Sequence, residues 1–464
     1  MNTDNLFGIK IDQFSRYYIT LLKSTILFRY GISDKEELKL SAKDADFLKG
    51  LEVVAMGEGK SMQDGLIVGT IRMGYGHHRM AYSLYSHSIQ QKRTILHDIL
   101  AIDSNEARAI KEIDGVYSYL SRLSSENGGI IEWLWGQLTS QGNANSLFLS
   151  VTLAEEYKRL VSGISPKLPY LSTYPINGQV AVAAGFSRVI HLIPDNFPQY
   201  YLLVPGALNL VQSPSSYMKF INMGVPKENL MVAGHWVSEP ILTHLEEDTA
   251  ARIERIESSK PKRFLLPIGG AGAQKKYTMT LLEKIAARLK NGEISLLLNT
   301  GDHVDFYNEI IEKLKELEID FDIINESVSL SHFCRNYELD KNEEPKKPVT
   351  VFHFASYYTA FLATDYLIRV ADVLVTKPSE LAFFPIPKIF IRRVGDHEAA
   401  SASRSMELGE GTIECREVEH AVEMFDLLSK KNDVLKRMND CIQRNLKDGI
   451  YNGSRKAVEI ALNP

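Results

Sequence analysis

The chain has 464 residues, enough for two or three domains with separate cores. Charged residues make up 24% and hydrophobic residues 44%, the balance of a globular protein, and a net charge of −5 excludes one that coats nucleic acid electrostatically. The three cysteines, Cys334, Cys415 and Cys441, are too far apart to form a metal-ligand motif or a disulfide framework, which fits a reducing compartment.

The N-terminus, MNTDNLFGIK, lacks the basic-then-apolar order of a signal peptide, and no apolar run reaches membrane-spanning length. A cytoplasmic location is therefore expected, with peripheral membrane contact left open. Residues 1–63 read as a helical extension, from "YYITLLKSTILFRYGI" and "SAKDADFLKGLEVVA". From Asp64 the pattern becomes strand, glycine turn, helix, strand: "GLIVGTI", "GYGHHR", "MAYSLYSHSIQQ", "RTILHDIL". "SRVIHLIP", "LNLVQS" and "NLMVAG" continue it, and strands alternating with helices predict a parallel sheet.

A boundary falls near Pro240, where a proline opens a charged helix. The pattern then restarts with "KRFLLPIGGAGAQ" and the helix "YTMTLLEKIAARLKNG", whose Leu281, Leu282, Ile285 and Leu289 share one face. "ISLLLNTG", "FDIIN", "VTVFHF", "DVLVTKP" and "KIFIRR" read as further strands, and 419–464 as helices. The expected domains are 1–63, 64–240, 241–418 and 419–464. In such sheets ligands bind beyond the carboxyl ends of the strands, at helix N-termini.

Three segments carry chemistry. In "PIGGAGAQKK", Gly269, Gly270 and Gly272 let backbone approach a diphosphate at a helix N-terminus, or simply close a strand–helix corner. In "VTKPSELAFFPIPKIFI", Glu380 follows a strand and opens a helix near Ser379; its carboxylate suits a ribose diol, or only the helix dipole. In "GYGHHR", Gly74, Gly76, His77, His78 and Arg79 form a strand-to-helix turn where an imidazole can act as base, or can cap the helix.

Taken in order, "GYGHHRMA", "PIGGAGAQ" and "VTKPSELAFFPIPKIFI" resemble the glycosyltransferases that include monogalactosyldiacylglycerol synthase and the N-acetylglucosaminyltransferase of lipid II synthesis. The resemblance spans roughly 64–414. It implies an α/β, GT-B-like fold of two Rossmann-like domains with parallel sheets facing across a cleft. It also implies metal-independent, inverting transfer of a sugar from a nucleotide sugar, a UDP-sugar, to a hydroxyl acceptor. Gly269, Gly270 and Gly272 then match the diphosphate loop, and Glu380 the ribose-binding acid. His353 and Phe354 fall at the nucleobase, and His397 and Glu398 at the donor sugar. His77 matches the residue beside the reacting carbon, with Gly74, Gly76, His78 and Arg79 on the acceptor side. This chain departs from the pattern at Tyr75 and His78 in the first turn, at Pro385, and where Lys377-Pro378 runs straight into Ser379-Glu380.

Asp195, after "VIHLIP", is a second candidate base, or a turn residue in "PDN". Asp320 belongs to a D-x-D in "IDFD" that reads as surface charge rather than a metal site. No cofactor and no nucleic acid are expected; the partners are a nucleotide sugar and an acceptor that is a lipid, a glycan or a small molecule. An epimerase or hydrolase on the same fold, or a non-catalytic nucleotide-sugar-binding protein, are the alternatives.

Overall fold

The computed structural model describes residues 6–32, 36–112, 144–269, 274–393, 395 and 398–463. The chain divides into two compact units. The first comprises Met1–Met73, Met80–Trp236 and Asn452–Pro464; the second comprises Gly74–Arg79 and Val237–Tyr451.

The first unit holds an eight-stranded sheet. Its strands are β1 (Leu40–Asp44), β2 (Glu52–Met56), β3 (Leu66–Thr70), β4 (Thr94–Asp98), β5 (Tyr170–Ser172), β6 (Val189–Leu192), β7 (Leu208–Val211) and β8 (Leu230–Val232). Their spatial order is β1-β2-β4-β3-β5-β6-β7-β8. Only the β1–β2 pair is antiparallel, Leu40 facing Met56 and Asp44 facing Glu52. Every residue of β3 and β4 is buried, their apolar centres and the polar Thr70, Thr94, His97 and Asp98 alike, as in strands covered on both faces. Gly69, near the end of β3, is there for close approach: a Cβ at that position would collide with the Tyr170 ring and hydroxyl.

The helix expected over residues 41–55 is not there. "SAKDADFLKGLEVVA" folds instead as β1, a turn and β2. Its apolar spacing suits either element, and pairing with β4 through Glu52–Ile95 and Val53–Leu96 decides for strand. The upstream segment does form a helix, Gln13–Tyr30, started by Asp12 accepting from the Ser15 amide and ended by Gly31 in the left-handed region.

The second unit holds seven strands, all parallel. They are β9 (Lys262–Pro267), β10 (Ile294–Asn299), β11 (Phe321–Ile324), β12 (Val349–Phe352), β13 (Val373–Thr376), β14 (Lys388–Ile391) and β15 (Gly411–Cys415), in the order β11-β12-β10-β9-β13-β14-β15. Leu281, Leu282, Ile285 and Leu289 of the helix Lys275–Lys290 are buried on one face of this sheet. Gly292, at φ +68°, ends that helix.

Both sheets reverse their order of winding once. From β3 the chain goes to β4 on one side and β5 on the other; from β9 it goes to β10 on one side and β13 on the other. These are the switch points at which open α/β sheets leave a crevice. The last helix, Gly453–Leu462, returns to the first unit. Asn452 bridges to Trp236, Ala461 O accepts from Arg188, and Ala457, Val458 and Ala461 fill the core beside Leu171 and Ile190. Among the described residues no helix is long and apolar enough to cross a membrane.

Candidate functional site

In the second unit the switch point is open. A cavity lies at the carboxyl ends of β9 and β13, lined by Gly269 and Gln274 after β9, by Lys377 and Glu380 after β13, and by Tyr75 and Arg79. Gly269 leaves room above its backbone, since a Cβ there would meet only Lys377 Cε, at 3.5 Å. Its carbonyl oxygen is 3.0 Å from His303 Nε2. Gly270 and Gly272 lie outside the described residues.

Glu380 opens a helical turn after Ser379, as expected, but a short one. It begins a single tight turn, Glu380–Phe383, because Phe384–Pro387 leads at once into β14. Lys388 fixes that short connection from beneath. Its buried ammonium donates to Phe384 O (2.7 Å), Ile386 O (2.9 Å) and Glu410 Oε2 (3.0 Å), so all three of its donors are used.

Glu380 keeps about a quarter of its side chain exposed, and Arg79 Nη1 donates to Oε1 at 2.8 Å. Burial pushes its pKa up, but the charges of Arg79 and Lys377 outweigh that and hold it below the usual glutamate value. Arg79 is itself buried between two carboxylates. Its Nε is 3.5 Å from Asp365 Oδ1, its Nη2 donates to Phe361 O at 3.3 Å, and its guanidinium lies over the Phe384 ring. Asp365 also accepts from Ser238 at 2.9 Å. Burial pushes the Asp365 carboxyl up to about 6, against the pull of Arg79 and Ser238.

The turn before Arg79 is held just as firmly. Gly74, at φ +68°, accepts from the Tyr357 hydroxyl at 2.6 Å. The Tyr75 hydroxyl donates to Asp302 Oδ1 and accepts from the Asp302 amide at 3.1 Å. Burial, then that bond, raises its pKa. Gly76 opens the helix Gly76–Ser88 next to Glu380, whose carboxyl carbon a Cβ would meet at 3.5 Å. His77 is half-buried. His78 is buried edge-on against Tyr357 and Tyr358.

His353 stacks on Tyr307 with ring centres 4.4 Å apart, and burial lowers its pKa. Phe354 is fully buried. Glu398, in the first turn of the helix Glu398–Glu407, pairs with Lys377; His397 lies outside the described residues. Asp195 belongs to the first unit, past the end of β6, and Asp320 is an exposed residue paired with Lys347. Among the described residues no group of three or more His, Cys, Asp or Glu could hold a metal ion.

Sequence reasoning missed Tyr75–Asp302 and Asp365. Tyr75 counted only as a departure from a glycine. Asp365 had a signal: a lone carboxylate inside the apolar run "AFLATDYLI" needs a buried partner.

In fold the chain is similar to the UDP-GlcNAc 2-epimerase from Neisseria meningitidis bound to UDP-GlcNAc: TM-score 0.50, 12% identity, covering 86% of this chain and 100% of that one. It is also similar to S. aureus MnaA in its UDP co-structure (TM-score 0.49, 10% identity, 86% and 95% covered). A third likeness is to an O-GlcNAc transferase mutant from Thermobaculum terrenum (TM-score 0.37, 11% identity, 99% and 74% covered). The fold is accordingly α/β of GT-B type, two Rossmann-like units with largely parallel sheets. No curated protein matches the sequence. Two family models do: "Domain of unknown function (DUF6937)" over residues 5–222, and "Domain of unknown function (DUF6938)" over residues 225–462. Since the second covers just over half of its residues, the chain belongs to the family described as Domain of unknown function (DUF6938).

Proposed function

We propose that this protein is an enzyme acting on a nucleotide sugar, a UDP-sugar, and that it transfers the sugar to a hydroxyl acceptor. The observation that carries the reading is the shared cavity: Gly269 and Glu380 stand at the ends of adjacent parallel strands, at the switch point of the second unit. In this reading the diphosphate lies over Gly269, before the helix Lys275–Lys290, where amide dipoles favour an anion. Glu380, ionised and held by Arg79, accepts from the two ribose hydroxyls. His353 and Phe354 serve the base, and Glu398 the sugar. The bond between the anomeric carbon and the diphosphate breaks, its electron pair leaving with the nucleotide. The acceptor oxygen forms the new bond and gives its proton to His77. The resemblance of "GYGHHRMA" and "VTKPSELAFFPIPKIFI" to lipid-glycosylating transferases supports transfer.

The second reading is epimerisation of the sugar on its nucleotide, favoured by the fold likeness to the N. meningitidis 2-epimerase. One experiment separates them. The protein is incubated with a panel of UDP-hexoses in deuterated water, with and without glycan and lipid acceptors. Transfer releases UDP in step with an added acceptor and leaves the sugar carbons unlabelled; epimerisation puts deuterium on the sugar without an acceptor. Binding without either outcome makes the protein a nucleotide-sugar sensor. Absence of any UDP-dependent rise in melting temperature, where ligand at 100 times its dissociation constant adds about 2.7 kcal/mol, overturns the nucleotide-sugar reading itself. Binding and turnover are expected to survive a chelator; manganese dependence lost in Asp320→Ala would reinstate the D-x-D.

A further inference from the structure

The helix Gln13–Tyr30 presents to solvent what helices usually bury. Phe14 is 80% exposed, Tyr17 73%, Tyr18 55%, Leu21 57% and Phe28 90%. Between these stand Thr20, Ser24 and Thr25, whose hydroxyls turn back to the carbonyls of Arg16, Thr20 and Leu21 and offer little to water. Its interior cations are on the other side: Arg16 donates to Ile11 O, and Lys23 pairs with Glu156. The helix is anchored through Ile19, Ile26 and Leu27 in the first unit, so its outer stripe is a fixed surface.

We propose that this stripe is the seam of a homodimer, formed by two copies of the helix packed antiparallel about a two-fold axis through Leu21. Two features choose a second copy as the occupant. Phe14, Tyr18, Leu21, Thr25 and Phe28 recur at alternating steps of four and three, the spacing of a helix–helix seam. The stripe is also complementary to its own reverse. With Leu21 on the axis, Phe14 meets Phe28 of the other copy, Tyr17 meets Thr25 and Tyr18 meets Ser24, so each large tyrosine faces a small residue. An isologous interface requires this self-match, and interdigitation requires the alternation of size. At roughly 150–250 Å² per aromatic, four so exposed offer about 600 Å² per copy, or about 1,200 Å² for the pair, within the range of stable interfaces. A bilayer surface would call for cations rimming the apolar face, whereas here Arg16 and Lys23 are turned inward and the exposed Arg29 pairs with Glu112. The proposal is independent of the function proposed above.

The test uses the full chain. Light scattering at about 50 μM should give twice 52.3 kDa. Leu21→Arg, which brings two guanidinium groups together on the axis, should raise the dimer dissociation constant by at least about 100-fold while circular dichroism shows the monomer still folded. Leu21→Cys should cross-link to itself under mild oxidant, where the wild type, with its own three cysteines, does not. The antiparallel register is checked by mixing Phe14→Cys with Phe28→Cys, which should cross-link to each other more than either does to itself. A wild-type monomer at that concentration, a dimer untouched by Leu21→Arg, or a failure of Leu21→Cys to cross-link would overturn the proposal. So would binding to phosphatidylglycerol vesicles that Phe14→Ser and Phe28→Ser abolish, which would give the stripe to a membrane.

Discussion

The two sheets share one winding pattern and have put their switch points to opposite uses. At β3/β5 the crevice is closed by the protein's own polar groups: Thr173 Oγ1 donates to Gly69 O and Thr70 Oγ1, and Asn177 Nδ2 reaches Thr70 O at 3.0 Å and His97 O at 3.4 Å. Thr70, Thr173, Asn177 and His97 are all fully buried, and burial lowers the His97 pKa to about 4, so this imidazole is neutral filler. At β9/β13 the same position is a cavity whose polar groups are charged and only partly used. Topology offers a crevice twice; side-chain chemistry decides which one can admit a ligand.

Three substitutions test that contrast, the largest effect first. Asn177→Leu keeps the volume but strands two buried carbonyls, so unfolding should become easier by about 2–5 kcal/mol while nucleotide affinity holds. A denaturant titration read beside calorimetry would show it; a large loss of affinity with intact stability would make the first crevice a binding site after all. Glu380→Gln should act chiefly on binding, weakening UDP affinity by about 10- to 100-fold, or about 1–3 kcal/mol, beside the smaller loss of stability that goes with its Arg79 pair. Equal UDP affinity in the variant would remove Glu380 from the ribose.

The third is smaller and lies in pH. Because the folded Asp365 pKa, about 6, is above its ordinary 3.8, its contribution to stability is full below about pH 3.8 and is lost as pH rises through 6. Glu380 has the opposite sign: its pKa is lowered, so its contribution is present above pH 4.5 and is lost as pH falls through the folded value. Asp365→Asn should therefore gain a degree or a few in melting temperature over the wild type between pH 4 and 7, and Glu380→Gln should not. Parallel melting curves for wild type and Asp365→Asn across that window would show that Arg79, and not burial, sets the carboxyl.

Much of the fold is legible in the sequence. Strand, glycine turn and helix leave a strong local pattern, so "GLIVGTI", "KRFLLP" and "DVLVTKP" announce β3, β9 and β13, and the parallel order follows from the alternation. Gly269 and Glu380 could be singled out because each follows a buried strand, where a glycine or a carboxylate suits a ligand, although a plain corner and the helix dipole would use them too. Residues 41–55 were misread because β1 and β2 are short, and pairing, not propensity, makes them strands. The setting of Glu380 was out of reach. Its partner Arg79 is 301 positions away in sequence, and nothing local in "GYGHHR" says that its arginine will be buried between two carboxylates while His78 packs on tyrosines.

The return of Gly453–Leu462 to the first unit bears on how the protein is made. A ribosome delivers β1 to β8 first, yet Leu171, Ile190 and Leu210 lack their apolar cover until Ala457, Val458 and Ala461 have been synthesised. For the whole time taken to build residues 237–451, the early sheet waits with one face incomplete. The second unit, apart from Gly74–Arg79, is contiguous and can close as it emerges. Order of synthesis and order of completion therefore run in opposite directions along this chain.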